Sequence, residues 1–391
     1  MTAATGILRP GARDIDLDNF GVNLADLPFT FWKNLGEAKS KCEHISHAPL
    51  LPETRNHINL VFLVKGVHST TAIEGNTLTE AEVMAIFKKE LTLPPSRLYQ
   101  GIEVENILTA MNEAWQRPLS GPLSSEEISA MNARVLAGLD VPEHVTPGHY
   151  RTEPVGVGLY RCPHPTDVAR LMEKFVEWYN TFTSAIAGLD GVSLAIIKAI
   201  AAHIYFVLIH PFGDGNGRAA RLIEWRTLDH AGLASVATHL LSNHYNLTRT
   251  RYYEMLDHAS RGRDMMPFFC YAVEGLVDQL AAQLTYIHEQ YADLVYLDLV
   301  RAKTPGGSKE VIERRQEVAL AICHAKAAVP RADVPALNSR LSAAYRHTSE
   351  KMLSRDLYAL MDAGLITLSK DGWESVTDPM YWQHRRDMPQ P

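Results

Sequence analysis

The feature that most constrains the fold is a long apolar run near the middle of the chain, "VSLAIIKAIAAHIYFVLIHPF" from Val192 to Phe212. Lys198 and His203 interrupt this run, whereas a bilayer span needs about 20 mainly apolar residues in succession. The run therefore predicts a helix that is buried in a protein core, and we expect no contact with a membrane.

The segments on both sides of this run predict a mainly helical protein. Apolar residues recur every three or four positions in Asn56–Val67 and Leu78–Lys89, for example, which is typical of amphipathic helices. Few segments alternate as strands do, and the clearest is "EPVGVGLYRCPHP", residues 153–165, which predicts a short hairpin. The predicted fold class is therefore mainly α, a helical bundle with one β-hairpin.

Composition narrows the class of protein. The 391 residues are 46% hydrophobic, which is enough for two or three compact units of roughly 150 residues each. A net charge of −7 gives no general attraction to nucleic acid or to an anionic membrane. The cysteines form no CxxC pair, and the first residues lack the apolar segment of a secretory signal, so we expect a cytoplasmic protein.

The domain organisation follows from one shift in composition. The stretch "AKTPGGSK" is the clearest linker in the chain, so we predict an N-terminal region at 1–100, a helical core at 101–300, and a linker at 301–309. Residues 310–376 then predict three helices and a hairpin around "KDG", the order of a small winged-helix domain.

Binding of DNA by this last domain is one of its two predicted uses. Lys351 and Arg355 lie one turn apart on the helix that would read bases, and Arg346 or Lys370 could contact phosphates. Acidic residues dilute this basic patch: Glu350, Asp356 and Asp362. The pattern therefore favours protein interaction or dimerisation, including a homodimer, over DNA binding.

The segment "HPFGDGNGRAAR", residues 210–221, predicts the chemistry. A run of glycines before a helix start exposes backbone N–H groups that bind anions, which suits phosphate. Asp214 offers the oxygen ligand that Mg²⁺ prefers, and Arg218 and Arg221 offer planar forks for phosphate. His210 is a candidate general base, with a pKa that we expect near neutrality. Taken alone, the segment also fits a sharp turn between two helices.

The same segment matches every fixed position of the HxFx(D/E)GNGRxxR motif, so the chain resembles the Fic family of nucleotidyltransferases. The resemblance implies a protein adenylyltransferase that moves AMP from ATP to Ser, Thr or Tyr hydroxyls of proteins, itself included. It makes His210 the base, Asp214 the ligand of Mg²⁺ or Mn²⁺, and Phe212 a core plug beneath the loop. It also assigns nucleotide binding to Phe212, Gly213, Asp214, Gly215, Asn216, Gly217, Arg218 and Arg221.

A second motif lies upstream, in "STTAIEGN" from Ser69 to Asn76. It resembles the (S/T)xxxE(G/N) inhibitory motif of Fic proteins, with Thr70, Glu74 and Gly75 at the named positions, and implies an inhibitory segment in the same chain. A Glu74 carboxylate paired with Arg221 would remove the cation that orients the γ-phosphate of ATP. An ordinary capped helix is the alternative, and hydrolytic removal of AMP with the help of Glu74 also stays open.

The resemblance extends to two further regions. Residues 153–165 would form the flap, a hairpin that docks the target segment through main-chain hydrogen bonds. Asn246 and Tyr253 would line the nucleotide. Two other functions stay open: a DNA-binding regulator whose Fic core senses nucleotide, and a Fic-type phosphotransferase. Kinase-like relatives carry a lysine where this chain has Gly217, which favours AMP transfer.

Overall fold

The computed structural model describes residues 17, 20–48, 52–116, 121–182, 188–233, 237–262, 264–325, 327–346 and 350–376. The first 16 residues, on which the expectation about a secretory signal rests, lie outside this set. The chain divides into two compact units, Met1–Leu284 and Thr285–Pro391.

The first unit is helical, as predicted. Its described helices are α1 (Phe29–Ser46), α2 (Pro52–Ile73), α3 (Glu80–Phe87), α4 (Leu98–Gln116), α5 (Ser125–Val135), α6 (Pro165–Thr181), α7 (Gly191–Ile209), α8 (Asn216–His230), α9 (Leu240–Leu247), α10 (Arg249–Gly262) and α11 (Met266–Lys303), whose last residues belong to the second unit. Short 3₁₀ helices cover Leu24–Asp26 and Pro95–Arg97.

Helix α7 is the apolar run of the sequence, and it lies in the core. It begins where the Asp190 side chain accepts a hydrogen bond from the Ser193 backbone N–H, a regular N-cap. By length and a mean hydropathy of 2.2 it could span a membrane, but 78% of that window is buried within the protein. The prediction of a buried central helix is therefore confirmed. Helix α8 packs along α7 and holds the second half of the glycine-rich segment.

The predicted hairpin is present within residues 153–165. Strands β1 (Gly156–Val157) and β2 (Tyr160–Arg161) pair antiparallel, with Val157 opposite Tyr160. The Tyr160 hydroxyl donates a 2.8 Å hydrogen bond to the carbonyl of Leu208, which anchors the hairpin to the last turn of α7. Val157 and Leu159 are 44% and 48% exposed, so the hairpin presents apolar side chains to solvent.

The second unit has its own core. Its elements are α12 (Lys309–His324), a 3₁₀ helix (Arg331–Ala336), α13 (Ser339–Tyr345), α14 (Glu350–Asp362), β3 (Ile366–Leu368) and β4 (Trp373–Ser375). The strands pair antiparallel, and Val329 adds a bridge to Trp373. This is the predicted order of three helices and a hairpin, and the winged-helix assignment stays a prediction. Tyr296 and Val300 of α11 pack in the same core, so this unit begins before the predicted linker.

Asp356 corrects the predicted basic patch. Its side chain is 1% exposed and accepts hydrogen bonds from Arg314 (2.7 Å), Arg315 (2.9 Å) and the Tyr345 hydroxyl (2.9 Å). Because the Asp356 carboxylate is buried and paired with arginines inside the unit, it does not offset the positive charges of Lys351 and Arg355 on the surface. The side chain of Glu350 lies outside the described ones.

Candidate active site

His210 lies where α7 ends and the glycine-rich loop begins. It is a left-handed residue, with φ 50° and ψ 59°, and its N–H closes the helix on the Phe206 carbonyl at 2.9 Å. Such a conformation costs a non-glycine residue about 1–3 kcal/mol, so the surrounding contacts must impose it. The imidazole Nδ1 lies 3.3 Å from the Val207 carbonyl. Since a carbonyl only accepts, Nδ1 carries the proton there and Nε2 is left to accept one.

The pKa of His210 differs from the near-neutral value expected from sequence. Burial lowers the pKa of the imidazole to about 4, the Val207 carbonyl partly opposes this, and the Arg151 guanidinium adds to the lowering. The expectation was wrong because it ignored the loss of hydration at the end of a core helix. The ring is therefore neutral at pH 7, the form that can take up a proton.

The loop ends in a glycine N-cap. Gly215 has φ 77°, a conformation that glycine adopts without strain, and α8 starts at the next residue, Asn216. The Asn216 amide accepts from the Phe212 N–H (2.9 Å) and donates to the Phe212 carbonyl (2.8 Å). Its side chain therefore shapes the loop. The predicted phosphate contact then rests on the backbone N–H groups in the first turn of α8, which have no partner within the helix.

Phe212 is a packing residue. It is 1% exposed, and its ring centroid lies 5.6 Å from that of Tyr150 and 6.2 Å from that of Phe206. It therefore fills the core directly beneath the loop, the position that the resemblance implies.

Asn132 of α5 supports the loop, and sequence analysis missed it. It is fully buried, donates to the Asp214 carbonyl (2.8 Å) and accepts from the Gly148 N–H (2.9 Å). A Cβ atom on Gly215 would lie 2.9 Å from the same amide, so the glycine also makes room for it. One signal existed: Asn132 lies four residues after Ile128, on the apolar face of α5.

Arg221 is held by the upstream motif. Its Nε donates to the Thr70 hydroxyl (2.7 Å), and its Nη2 donates to the Thr70 carbonyl (3.0 Å) and to the Glu74 carboxylate (2.6 Å). The Arg221 side chain is 2% exposed and that of Glu74 is 32% exposed. One partly buried ion pair thus joins Arg221 to Glu74, which lies 147 positions upstream.

Glu74 lies just past the end of α2. The helix ends at Ile73, and Gly75 turns the chain with φ 103°, so the motif spans a helix end and a turn rather than continuous helix. A Cβ atom on Gly217 would overlap the Glu74 carboxylate, which therefore lies directly against the first turn of α8. Burial alone would raise the pKa of Glu74, but Arg221 and Arg218 outweigh it and lower the pKa. The carboxylate is ionised at neutral pH.

Arg218, the other motif arginine, is also engaged. It is 5% exposed, and its Nη1 and Nη2 lie 3.1 Å from Glu103 and 3.5 Å from Asp214. Asn76 donates to the second Glu103 oxygen at 2.9 Å, which links the upstream motif to this arginine. Glu103 was missed from sequence because it lies 115 residues from Arg218 on an ordinary amphipathic helix.

Two predicted nucleotide residues have different surroundings. The Tyr253 hydroxyl donates to the Ile73 carbonyl at 3.2 Å, beside Glu74, and the side chain is 41% exposed. Asn246 is half-buried on α9, and no described contact connects it with the loop.

Asp214 is the predicted ligand of a divalent metal ion. Among the described residues, no group of three or more His, Cys, Asp or Glu side chains is arranged to hold a metal ion. Mg²⁺ commonly binds one or two carboxylates together with substrate phosphates and water, so it needs no such group. The Asp214 carboxylate is 48% exposed beside the anion-binding N-terminus of α8, which fits a metal that arrives with its nucleotide.

The region that holds the glycine-rich segment is similar in sequence to known proteins. A model of the Fic/DOC family matches residues 122–228. Protein adenylyltransferase fic-1 of Caenorhabditis elegans is 28% identical over 245 residues, which are 62% of this chain and 44% of that protein. Protein adenylyltransferase Fic of Drosophila willistoni is 31% identical over 205 residues, which are 52% of this chain and 38% of that protein. The chain thus spans less than half of the length of either relative.

A solved structure resembles the fold. A Fic family protein from Desulfovibrio desulfuricans superposes with a TM-score of 0.57 at 18% sequence identity, over 88% of this chain and 93% of that one. Residues 122–228 are therefore similar to a Fic/DOC domain, and the mainly helical fold resembles that of a solved Fic family protein.

Proposed function

We propose that this protein is an adenylyltransferase that moves AMP from ATP to a Ser, Thr or Tyr hydroxyl of a protein. The observation that carries the proposal is the neutral His210, with Nε2 free to accept a proton, next to the N-terminus of α8. The similarity to two protein adenylyltransferases supports the same activity.

The reaction follows from the positions of these groups. His210 Nε2 takes the hydroxyl proton as the oxygen attacks the α-phosphorus of ATP. The bond from the α-phosphorus to the bridging oxygen breaks, and pyrophosphate leaves. Backbone N–H groups at the start of α8, together with Arg218, stabilise the charge on the phosphates. Mg²⁺ bound at Asp214 would neutralise further phosphate charge.

Inhibition is the second part of the proposal. Arg221, the arginine expected at the γ-phosphate, is occupied by Thr70 and Glu74, so ATP would bind with its α-phosphate misaligned. Glu74 also lies against Gly217, in the space where phosphates would approach the loop. Because Arg221 is withheld from the γ-phosphate while the other phosphate-binding groups remain, we expect inhibition to act more on the geometry of bound ATP than on its affinity. The carboxylate in this position could also activate water against an AMP-modified side chain.

Target docking would use the flap. Its exposed edge and the half-exposed side chains of Val157 and Leu159 suit an extended segment that adds main-chain hydrogen bonds. Modification of the chain itself needs only that one of its own hydroxyls reaches this edge. Dimerisation, DNA binding by the second unit and a cytoplasmic location remain proposals of the sequence.

The test incubates the wild-type chain and Glu74→Gly separately with α-labelled and γ-labelled ATP. Label on protein from the α-phosphate alone supports adenylylation, whereas label from the γ-phosphate alone would make the protein a kinase. No protein-bound label from either nucleotide, together with tight binding to duplex DNA, would favour the DNA-binding regulator. Loss of α-label from pre-labelled wild-type protein, but not from Glu74→Gln, would identify AMP removal.

A further inference from the structure

Arg151 lies between α5 and the flap, in the segment "TPGHYR", and it pairs with the loop through its backbone. Its N–H donates to the Pro211 carbonyl at 2.9 Å, and the preceding Tyr150 forms an antiparallel bridge with Phe212. The residue is 5% exposed. The backbone of this segment is therefore fixed to the residues that directly follow His210.

The Arg151 guanidinium donates hydrogen bonds to three backbone carbonyls, at the end of α7 and before and after the two flap strands. Nε donates to His210 (2.8 Å), Nη1 to Glu153 (3.1 Å) and Nη2 to Pro163 (2.5 Å). Glu153 and Pro163 lie on the two opposite legs of the flap. One side chain thus joins the candidate base to both legs of the hairpin.

These contacts are costly for a residue with a purely structural role. Burial disfavours the charged guanidinium, and it lowers the pKa of Arg151. Its three hydrogen-bond partners in the described part of the chain are neutral carbonyls, which offset the free-energy penalty of burying the charge less fully than a carboxylate would. Only arginine has a rigid fork with enough donors to reach three acceptors at fixed angles.

We infer that Arg151 is a positioning residue that sets the distance between His210 and a hydroxyl docked on the flap. This inference rests on the proposed function, in which the flap holds the target and His210 takes its proton. Among the described residues, the Tyr160 anchor, the Tyr150–Phe212 bridge and the backbone hydrogen bond from Arg151 to Pro211 also connect these segments. Arg151 holds them in one frame without touching either reactant.

The expected effect is on the transfer step. A misplacement of about 1 Å between reacting groups can cost on the order of 100-fold in rate. Arg151→Lys keeps the charge but cannot reach three carbonyls, so transfer at saturating ATP should fall about 10- to 100-fold. The described hydrogen bonds of the Arg151 side chain go to neither Asp214 nor the backbone N–H groups at the start of α8, so the KM for ATP should stay within about twofold.

The experiment measures auto-labelling from α-labelled ATP in the Glu74→Gly background, with Arg226→Lys as the matched control. Arg226 is a buried arginine that donates to Glu127 (2.7 Å) and to the Gly121 carbonyl (3.0 Å), away from the loop. We expect Arg151→Lys to lower kcat alone and Arg226→Lys to change neither constant. Equal kcat values for Arg151→Lys and its parent, or a rise in KM that accounts for the whole loss, would overturn the inference.

A second measurement separates this inference from the proposed function. Amide hydrogen exchange needs no turnover, and it should rise together in peptides that cover residues 153–165 and 206–212 of Arg151→Lys, but not of Arg226→Lys. Unchanged exchange in either peptide would refute the positioning role even if the parent labels no protein. If Arg151→Lys does not fold, Arg151→Gln takes its place in both measurements.

Discussion

Replacing Glu74 with glycine should convert the protein into its more active form. The substitution removes the carboxylate that lies 2.6 Å from Arg221, while Thr70 still holds the guanidinium through two hydrogen bonds. Arg221 therefore stays in place and becomes free to contact the γ-phosphate. Auto-labelling from α-labelled ATP should rise.

The size of the gain follows from the bond that is lost. A hydrogen bond between charged groups contributes about 1.5–3 kcal/mol, and 1.4 kcal/mol is about tenfold in an equilibrium. Because the Glu74 side chain is 32% exposed, solvent weakens the bond and the lower end applies. We expect a rise of about tenfold in the initial labelling rate, measured at matched protein and Mg²⁺ concentrations.

The gain must depend on Arg221. In the double variant Glu74→Gly, Arg221→Ala, most of the increase should disappear, because the freed arginine is what anchors the γ-phosphate. An unchanged rate in Glu74→Gly, or a full gain in the double variant, would refute the pairing argument. The first result would reduce residues 69–76 to a helix end with a glycine turn.

Three further predictions test the base, its protonation and the domain boundary. His210→Ala should bind ATP almost as the parent does, since other residues hold the phosphates, but its labelling rate should fall about 10²–10⁴-fold. Calorimetry measures the binding, and labelling at the parent rate would contradict the assignment of His210 as the base. The pKa of His210 is lowered to about 4 and the neutral ring is the base, so activity should be lost only as the pH falls through about 4 and should stay flat from pH 6 to 8. A midpoint near 6.5 in the pH profile of Glu74→Gly would show that burial does not control the pKa of His210. A chain truncated after Leu284 should be soluble and bind ATP, whereas one truncated after Thr304 exposes Tyr296 and Val300 and should aggregate. Size-exclusion chromatography distinguishes these outcomes. If only the chain truncated after Thr304 elutes as a soluble species, the boundary lies at the linker.

The helices, the hairpin and the residues of the loop could be predicted from the sequence, because each depends on a local pattern. The glycines, the arginines and His210 lie within twelve positions, so their proximity needs no fold. Glu74 was reached through a second motif, since no local rule connects it to Arg221.

What sequence did not yield was tertiary. Asn132, Glu103 and Arg151 contact the loop or its arginines across 59 to 115 residues, and each lies in a segment that has an ordinary local pattern. Asp356 looked like a surface charge because burial by two arginines cannot be read from spacing. The depressed pKa of His210 has the same origin, since hydration is lost only when the core assembles.

The position of Glu74 one residue beyond α2 governs how inhibition can be relieved. Although the helix ends at Ile73, the Glu74 N–H donates to the Thr71 carbonyl (3.0 Å) and the Gly75 N–H donates to the Ala72 carbonyl (2.9 Å), so the backbone of the turn stays tied to α2. The carboxylate can leave Arg221 by rotation about its own side-chain bonds, without breaking these hydrogen bonds. Thr70 lies inside α2, and its hydroxyl would continue to accept a hydrogen bond from the Arg221 guanidinium. Release should therefore need only a side-chain rotation of Glu74 and leave the helix intact. A phosphate that competes for Arg221 would therefore displace one side chain, and no helix would have to unfold before ATP binds productively.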